Sequence, residues 1–152
     1  ATIMTKEHRK HYLEQALLME AFRGKTNYVE SCLEKGVDPN TRLVTGSTPI
    51  YLAACNGDNN TVRLLQSKGA DPTLQSGNHT PLIAASLSGS LTVVESLLQS
   101  DKMTLEHIQQ QLPSGKDAVQ LAANSGNLQI ATIIETNLEE KILQRQGAPP
   151  PT

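Results

Sequence analysis

The sequence is poor in aromatic residues: its 152 residues include no Trp, one Phe and three Tyr. Hydrophobic residues still make up 38% of the chain, so any core must be built from Leu, Ile, Val and Ala, which suits closely packed helices. Cysteine is equally scarce, since only Cys32 and Cys55 occur. A small secreted domain held by disulfides usually carries more, so we expect a reducing compartment, the cytoplasm, with the nucleus left open.

Long apolar runs and an excess of one charge are also missing. No run approaches the roughly 18 apolar residues of a membrane span, and the N-terminal stretch has no apolar core of a signal peptide. The chain has thirteen Lys and Arg and fifteen Asp and Glu, which gives a formal net charge of -2. Because it has no excess of positive charge, a nucleic-acid backbone is disfavoured as its partner. We expect one domain, monomeric on its own, with no nucleic-acid or membrane partner.

The sequence shows no pattern that is typical of catalysis. It has no phosphate-binding loop, no nucleophile elbow and no paired carboxylates. His8 and His11 lie three residues apart on one helix face, but no third metal ligand accompanies them. Cys32 is expected to be a small core residue and Cys55 an exposed thiol or interface atom, and neither has a histidine in register. We therefore predict no enzymatic activity, no cofactor and no metal.

Four glycines mark a period in the chain. Gly24, Gly57, Gly89 and Gly126 are separated by 33, 32 and 37 residues. Each follows one helical block and precedes a second amphipathic block, which is the pattern of a helical repeat protein. Pairs of small residues precede three of these glycines, at Ala53-Ala54, Ala84-Ala85 and Ala122-Ala123. We expect these alanines to let neighbouring helices approach closely, and the glycines to adopt the left-handed backbone that ends the first helix.

Two helix starts carry the same chemistry. Thr48-Pro49 and Thr80-Pro81 each place a capping hydroxyl before a proline. The threonine accepts a hydrogen bond from a free backbone N–H, and the proline fits the first helical position because its missing N–H is not needed there. These dipeptides therefore predict the beginnings of two equivalent helices.

The stretches TPIYLAACNG from Thr48 and TPLIAASLSG from Thr80 resemble the Thr-Pro-Leu-His-x-Ala signature of the ankyrin repeat family. The resemblance covers about residues 15–138, with degenerate first and fourth repeats. It implies an all-α solenoid of stacked helix-turn-helix units with β-turn fingers and extended N- and C-terminal capping helices. Tyr51 and Ile83 stand where the family has His, which leaves open how adjacent turns are held together.

The period also suggests boundaries. We expect a repeat domain over 5–146, a leading remnant over 1–4 with Met4 as the native start, and a Pro-rich tail or linker over 147–152. The individual repeats are expected at about 13–42, 43–75, 76–112 and 114–146. The third contains an insertion, 101–113, in which Thr104 is expected to cap a short helix through Leu112. The insertion is either a tolerated loop or part of a binding surface.

The resemblance implies a protein-interaction module that holds a partner protein or peptide in a concave groove formed by the turn tips and the ends of the first helices. An alternative is a targeting or substrate-recruiting arm of a larger enzyme or bacterial effector, with the activity outside this chain. Transferred position by position, the groove residues are Phe22, Arg23, Arg42, Val44, Thr45, Ser47, Tyr51, Cys55, Asn56, Ser76, His79, Leu87, Ser88, Pro113, Lys116, Asn124 and Ser125. Phe22, Val44, Tyr51 and Leu87 are the apolar anchor candidates.

Overall fold

A computed structural model describes residues 4–147 of the chain. The expected leading remnant, apart from Met4, and the tail beyond Gly147 lie outside the described residues. Within 4–147 there are nine α-helices and no β-strand beyond a single bridge between Ser76 and His79. The helices are α1 Lys6–Arg23, α2 Thr26–Glu34, α3 Pro49–Cys55, α4 Asn59–Ser67, α5 Pro81–Ser88, α6 Leu91–Leu98, α7 Leu105–Ile108, α8 Ala118–Asn124 and α9 Leu128–Arg145.

Eight of the helices form two layers of a stack. One layer holds the first helices α1, α3, α5 and α8, and the other holds the second helices α2, α4, α6 and α9. Each first helix packs against its own second helix and against its neighbours in the same layer. This arrangement confirms the expected all-α solenoid of helix-turn-helix units, whose aliphatic core runs continuously between the two layers.

The first helices begin where the caps predict. The Thr48 hydroxyl accepts a hydrogen bond from the Tyr51 N–H at 3.2 Å, and the Thr80 hydroxyl accepts one from the Ile83 N–H at 3.1 Å. Both threonines are followed by proline at the first helical position. In the last pair of helices Asp117 replaces threonine and forms a reciprocal capping box. The cap is therefore retained although the residue type changes.

The turn between paired helices needs glycine for two different reasons. Gly57 has φ +67°, and a Cβ there would lie 2.5 Å from the Ser90 Oγ of the next repeat. Gly126 has φ +82°, but a Cβ there would meet none of the described atoms within 4 Å. The left-handed backbone requires glycine in both turns, whereas close approach of a neighbour requires it only at Gly57.

Small residues separate the stacked first helices, with one exception. Three positions before the turn glycine, Ala21, Ala54 and Ser86 are all fully buried. At the same position of the last repeat, Ala123 is exposed. The expectation that both members of every alanine pair pack between helices is therefore wrong for Ala123, because α8 is the last first helix within residues 4–147.

Hydrogen bonds that involve side chains join adjacent turns without the family's histidine. The Ser47 and Ser76 hydroxyls lie 2.7 Å apart, and the Asn40 side-chain oxygen accepts a hydrogen bond from the Asp71 N–H at 2.7 Å. Each bond connects one turn to the equivalent turn of the next repeat. The replacement of the family's His by Tyr51 therefore leaves the adjacent turns linked.

The inserted segment is packed against the body of the protein. Met103 is buried before the four-residue helix α7, and α7 contacts α9. Two guanidinium nitrogens of Arg145 donate hydrogen bonds to the two carboxylate oxygens of Glu106, the shorter at 2.7 Å. The insertion thus contributes an extra packing element beside the C-terminal helix.

Helix α7 is shorter than the sequence predicts. It ends at Ile108, not at Leu112. The Leu112 N–H donates to the Lys116 carbonyl at 2.9 Å, in the turn that precedes α8. Because that N–H is used by the turn, it is not available to extend the helix, and the predicted helix end was wrong by four residues.

Candidate binding groove

Two positions of each first helix recur in step with the turn glycines. We call the residues two positions before each glycine the minus-two column and those five positions before it the minus-five column. The minus-two column consists of Phe22, Cys55, Leu87 and Asn124. The minus-five column consists of Met19, Leu52, Ala84 and Leu121. The minus-two column changes from the large apolar Phe22 in the first repeat to the polar Asn124 in the last, and Met19 is the most exposed member of the minus-five column.

An apolar pocket of about 310 Å³ opens between α1, α3 and Leu43 in the loop that precedes α3. Leu18 is 1% exposed, whereas Met19 and Phe22 are 49% and 54% exposed. Large apolar side chains at such exposure on neighbouring turns of one helix form a surface that gains free energy when a partner covers it. The remaining lining residues are Gln15, Leu43 and Leu52.

Short turns closed by backbone hydrogen bonds precede α3, α5 and α8, and we call these turns the fingers of the fold. In the first finger, residues 43–47, the Leu43 N–H donates to the Ser47 carbonyl at 2.9 Å. The second finger, 76–79, and the third, 112–116, close in a comparable way. These bonds fix Leu43 beside the pocket and leave Val44, at the finger tip, fully exposed.

Most of the predicted groove residues reach solvent. The exposed ones are Phe22, Arg23, Arg42, Val44, Thr45, Cys55, Asn56, Leu87, Ser88, Pro113, Lys116, Asn124 and Ser125. Tyr51, Ser76 and His79 are half-buried. The structure brings Phe22 into the apolar pocket, and it spreads the other predicted residues along the first helices and fingers.

Ser47 differs from the other predicted residues because it is buried. Its hydroxyl lies 2.7 Å from that of Ser76 and 3.1 Å from that of Thr45. The side chain therefore joins two fingers and does not present a free hydroxyl. The sequence alignment located the position, but it could not show that the neighbouring finger covers it.

Tyr51 and Cys55 interact one helical turn apart on α3. Burial, together with a smaller contribution from the nearby Cys55, raises the pKa of Tyr51 to about 12. The Cys55 side chain reaches solvent, but its thiol is partly desolvated by neighbouring atoms, which raises its pKa. The hydrogen bond with Tyr51 lowers the pKa by a smaller amount. Cys55 is therefore a protonated thiol at neutral pH and a weak nucleophile.

Polar contacts fix the edge of the pocket. The Asn56 side-chain amide donates a hydrogen bond to the Phe22 carbonyl, which ties the end of α1 to the end of α3. Arg23 is 3.3 Å from Glu20 on the same helix, so part of its charge is balanced locally. The end of α1 that carries the apolar surface is therefore tied to α3.

Five pocket residues were missing from the sequence prediction: Gln15, Leu18, Met19, Leu43 and Leu52. Met19 and Leu52 belong to the minus-five column, so the same glycine alignment that located Phe22 could have found them. Leu43 begins the first finger, and its neighbour Val44 was selected in its place. The spacing of the glycines defines both columns, but the sequence prediction used only the minus-two column.

The described residues offer no site for metal chemistry. Within 4–147 no three His, Cys, Asp or Glu side chains come together in a way that would hold a metal ion. None of the helices in the same range has the length and apolar character needed to cross a bilayer.

Comparison with known proteins adds two findings. A family model described as ankyrin repeats, in three copies, matches residues 17–107. The mouse (Mus musculus) protein named "Protein fem-1 homolog A-like" is 30% identical over 108 residues. The matched segment covers 71% of this chain but only 16% of the mouse protein, so the chain spans a small part of that relative's length.

Proposed function

The chain belongs to the ankyrin repeat family, and from that membership we propose that it is a non-catalytic module that binds a partner protein through its concave groove. Ankyrin repeats indicate protein–protein interaction, but a fold alone does not name the binding surface. The observation that carries the proposal is the apolar pocket between α1, α3 and the first finger.

The pocket supplies an anchor for a bulky apolar side chain of the partner. Met19 and Phe22 are half-exposed above the buried Leu18, so a partner side chain entering here contacts apolar atoms on several sides. Full burial of one large apolar side chain contributes about 1.5–3 kcal/mol. Binding energy in protein interfaces is usually concentrated in a few such contacts.

The remainder of the groove supplies polar side chains that can form hydrogen bonds with the backbone of the partner. Towards the C-terminal end the exposed residues are Ser88, Lys116, Asn124 and Ser125. Hydroxyl and amide groups can donate to or accept from an extended peptide without demanding one sequence. We propose that the partner segment places its apolar anchor near Phe22 and runs on towards α8.

Selection from a displayed library of random peptides tests the proposal. We expect the selected peptides to carry a large apolar residue, and Phe22→Ala and Met19→Ala each to weaken their binding by about 10- to 100-fold, since anchor truncation costs roughly 1.4–3 kcal/mol. Asn124→Ala, at the minus-two column of the last repeat, is the matched control and should change binding by about threefold or less. Circular dichroism would verify that all variants are folded.

Two results would contradict the proposed anchor. One is a set of peptides whose binding is unaffected by Phe22→Ala and Met19→Ala. The other is an equal loss in Asn124→Ala, which would mean that no anchor exists and that contacts are spread evenly over the groove. In either case the anchor at the N-terminal end would have to be abandoned.

A second role is favoured by the length of the mouse relative, of which this chain covers 16%. We propose that the stack also serves as the recruiting arm of a longer polypeptide whose activity lies outside residues 1–152. An antibody against the domain would detect a protein much heavier than 16.4 kDa in extracts of the source cells if this is correct. A single band near that mass would contradict it.

A further inference from the structure

A second hollow, of about 370 Å³, lies between the N-terminal half of α1 and the loop that follows α2. The half-buried Leu13 and the buried Val37 supply its apolar surface. Four exposed cationic side chains surround them: Lys6, Arg9, Lys10 and Lys35. The hollow therefore combines a small apolar floor with a basic rim.

The two carboxylates at this hollow already have partners in the adjoining loop. Glu14 accepts a hydrogen bond from the Thr41 hydroxyl at 3.0 Å, and Asp38 accepts one from the Asn40 N–H at 2.9 Å. The ion pairs found within residues 4–147 involve Arg23 and Arg145 and none of the four rim cations. A chain of net charge -2 thus concentrates four cations against two carboxylates in one place.

The basic hollow is separate from the apolar pocket of the groove. At 100° per residue, Lys6, Lys10 and Leu13 lie on one side of α1, whereas Met19 and Phe22 lie on the opposite side. One helix therefore presents two different surfaces. A ligand in the hollow would leave the groove free.

We propose that the basic hollow binds an acidic peptide segment in which carboxylates flank an aliphatic side chain. The aliphatic residue contacts Leu13 and Val37, and the carboxylates pair with cations spaced three and four residues apart on α1 and with Lys35 across the hollow. The apolar floor and concave shape favour a peptide over a flat anionic membrane. This surface is independent of the partner proposed for the groove.

The test measures fluorescence anisotropy of a labelled peptide with the sequence Glu-Glu-Leu-Glu-Glu, using the whole chain. An exposed ion pair contributes about two- to fivefold in affinity, so the double variant Lys10→Gln/Lys35→Gln should weaken binding by about tenfold. The matched control is Lys25→Gln/Lys68→Gln: Lys68 is the C-cap of α4 as Lys35 is the C-cap of α2, and Lys25 is an exposed lysine that does not line the hollow. Phe22→Ala should leave this binding unchanged.

Salt provides a second readout. Charges are screened over about 8 Å at physiological ionic strength, so affinity for the peptide should fall steeply as salt is raised. A Gly-Ser peptide with the same central Leu should not bind. Loss of binding in Lys10→Gln/Lys35→Gln, but not in the lysine control, would support the proposal.

Three results would overturn it: no binding of the acidic peptide at low salt, an equal loss in both double variants, or binding to phosphatidylserine vesicles through Lys10 and Lys35 without binding to the peptide. The last result would assign the hollow to a membrane surface. None of these outcomes bears on the groove, whose own test uses Phe22 and Met19.

Discussion

The second and fourth helix pairs, α3–α4 and α8–α9, follow one backbone plan in two different surroundings. Ala54 and Ala123 occupy the same repeat position, but a neighbouring repeat buries only the first. Gly57 and Gly126 have similar left-handed backbones, but only Gly57 faces a neighbouring side chain. The comparison shows that a repeat position has a fixed conformation, whereas its tolerance for substitution depends on whether another repeat follows.

The largest difference is expected for the small packing residue. Ala54→Leu should lower the free energy of unfolding by about 1–3 kcal/mol, because three added carbons must fit between packed helices. Ala123→Leu should change it by about 0.5 kcal/mol or less, because that side chain is exposed. Urea titration followed by circular dichroism would measure both. Equal destabilisation would mean that α8 is covered on its outer side in solution.

The turn glycines should differ less. Alanine costs about 1–2 kcal/mol at either position because of the left-handed backbone. At Gly57 the Ser90 hydroxyl must also move away from the new Cβ. We expect Gly57→Ala to be the more destabilising variant, and Gly57→Ala with Ser90→Ala to recover the additional loss. If the Ser90→Ala change brings no recovery, steric contact does not distinguish the two turns.

The finger hydroxyl should have a smaller effect. Ser47→Ala removes the hydrogen bonds to Ser76 and Thr45, and a typical net loss for such a change is about 0.5–1.5 kcal/mol. Lys116 stands at the same position of the last repeat and is exposed, so Lys116→Ala should be almost neutral. Thermal unfolding of both variants, of Ser76→Ala and of the double variant Ser47→Ala/Ser76→Ala would show whether the two serines act as a pair. Additive losses from Ser47→Ala and Ser76→Ala would argue against it.

The smallest effect is expected at the exposed ion pair beside α9. Hydrogen bonding to Arg145 lowers the pKa of Glu106 to about 2 from an ordinary 4.5. A lowered folded-state pKa stabilises the fold above the unfolded value, so this contribution is complete above about pH 4.5 and is lost as pH falls towards 2. Arg145→Ala should return the pKa of Glu106 to near its ordinary value, measured by NMR titration of the carboxyl carbon. Lys141→Ala is the control, and an unchanged Glu106 in Arg145→Ala would disprove the pairing.

Local chemistry predicted the helix starts and the turns. Thr48 and Thr80 cap helices, and the four turn glycines have positive φ, because these features depend on a few neighbouring residues. The apolar pocket was predicted only at Phe22, since Leu52 and Leu43 come from elements that meet α1 only after folding.

The sequence-based predictions that were wrong have the same physical origin. The burial of Ser47 and the exposure of Ala123 depend on which repeat lies beside each residue. The early end of α7 depends on the competing backbone bond of Leu112. A periodic sequence specifies the unit well, but contacts between units are decided by pairs of residues that a single repeat does not contain.

The hydrogen bonds between neighbouring repeats bear on how the protein is made. Side-chain hydrogen bonds that join different elements within residues 4–147 span 27 to 41 positions along the chain, about one repeat. Each newly synthesised repeat therefore finds its partners in the segment that left the ribosome immediately before it. The polypeptide can acquire its structure progressively from the N-terminus during translation, without waiting for its C-terminal residues.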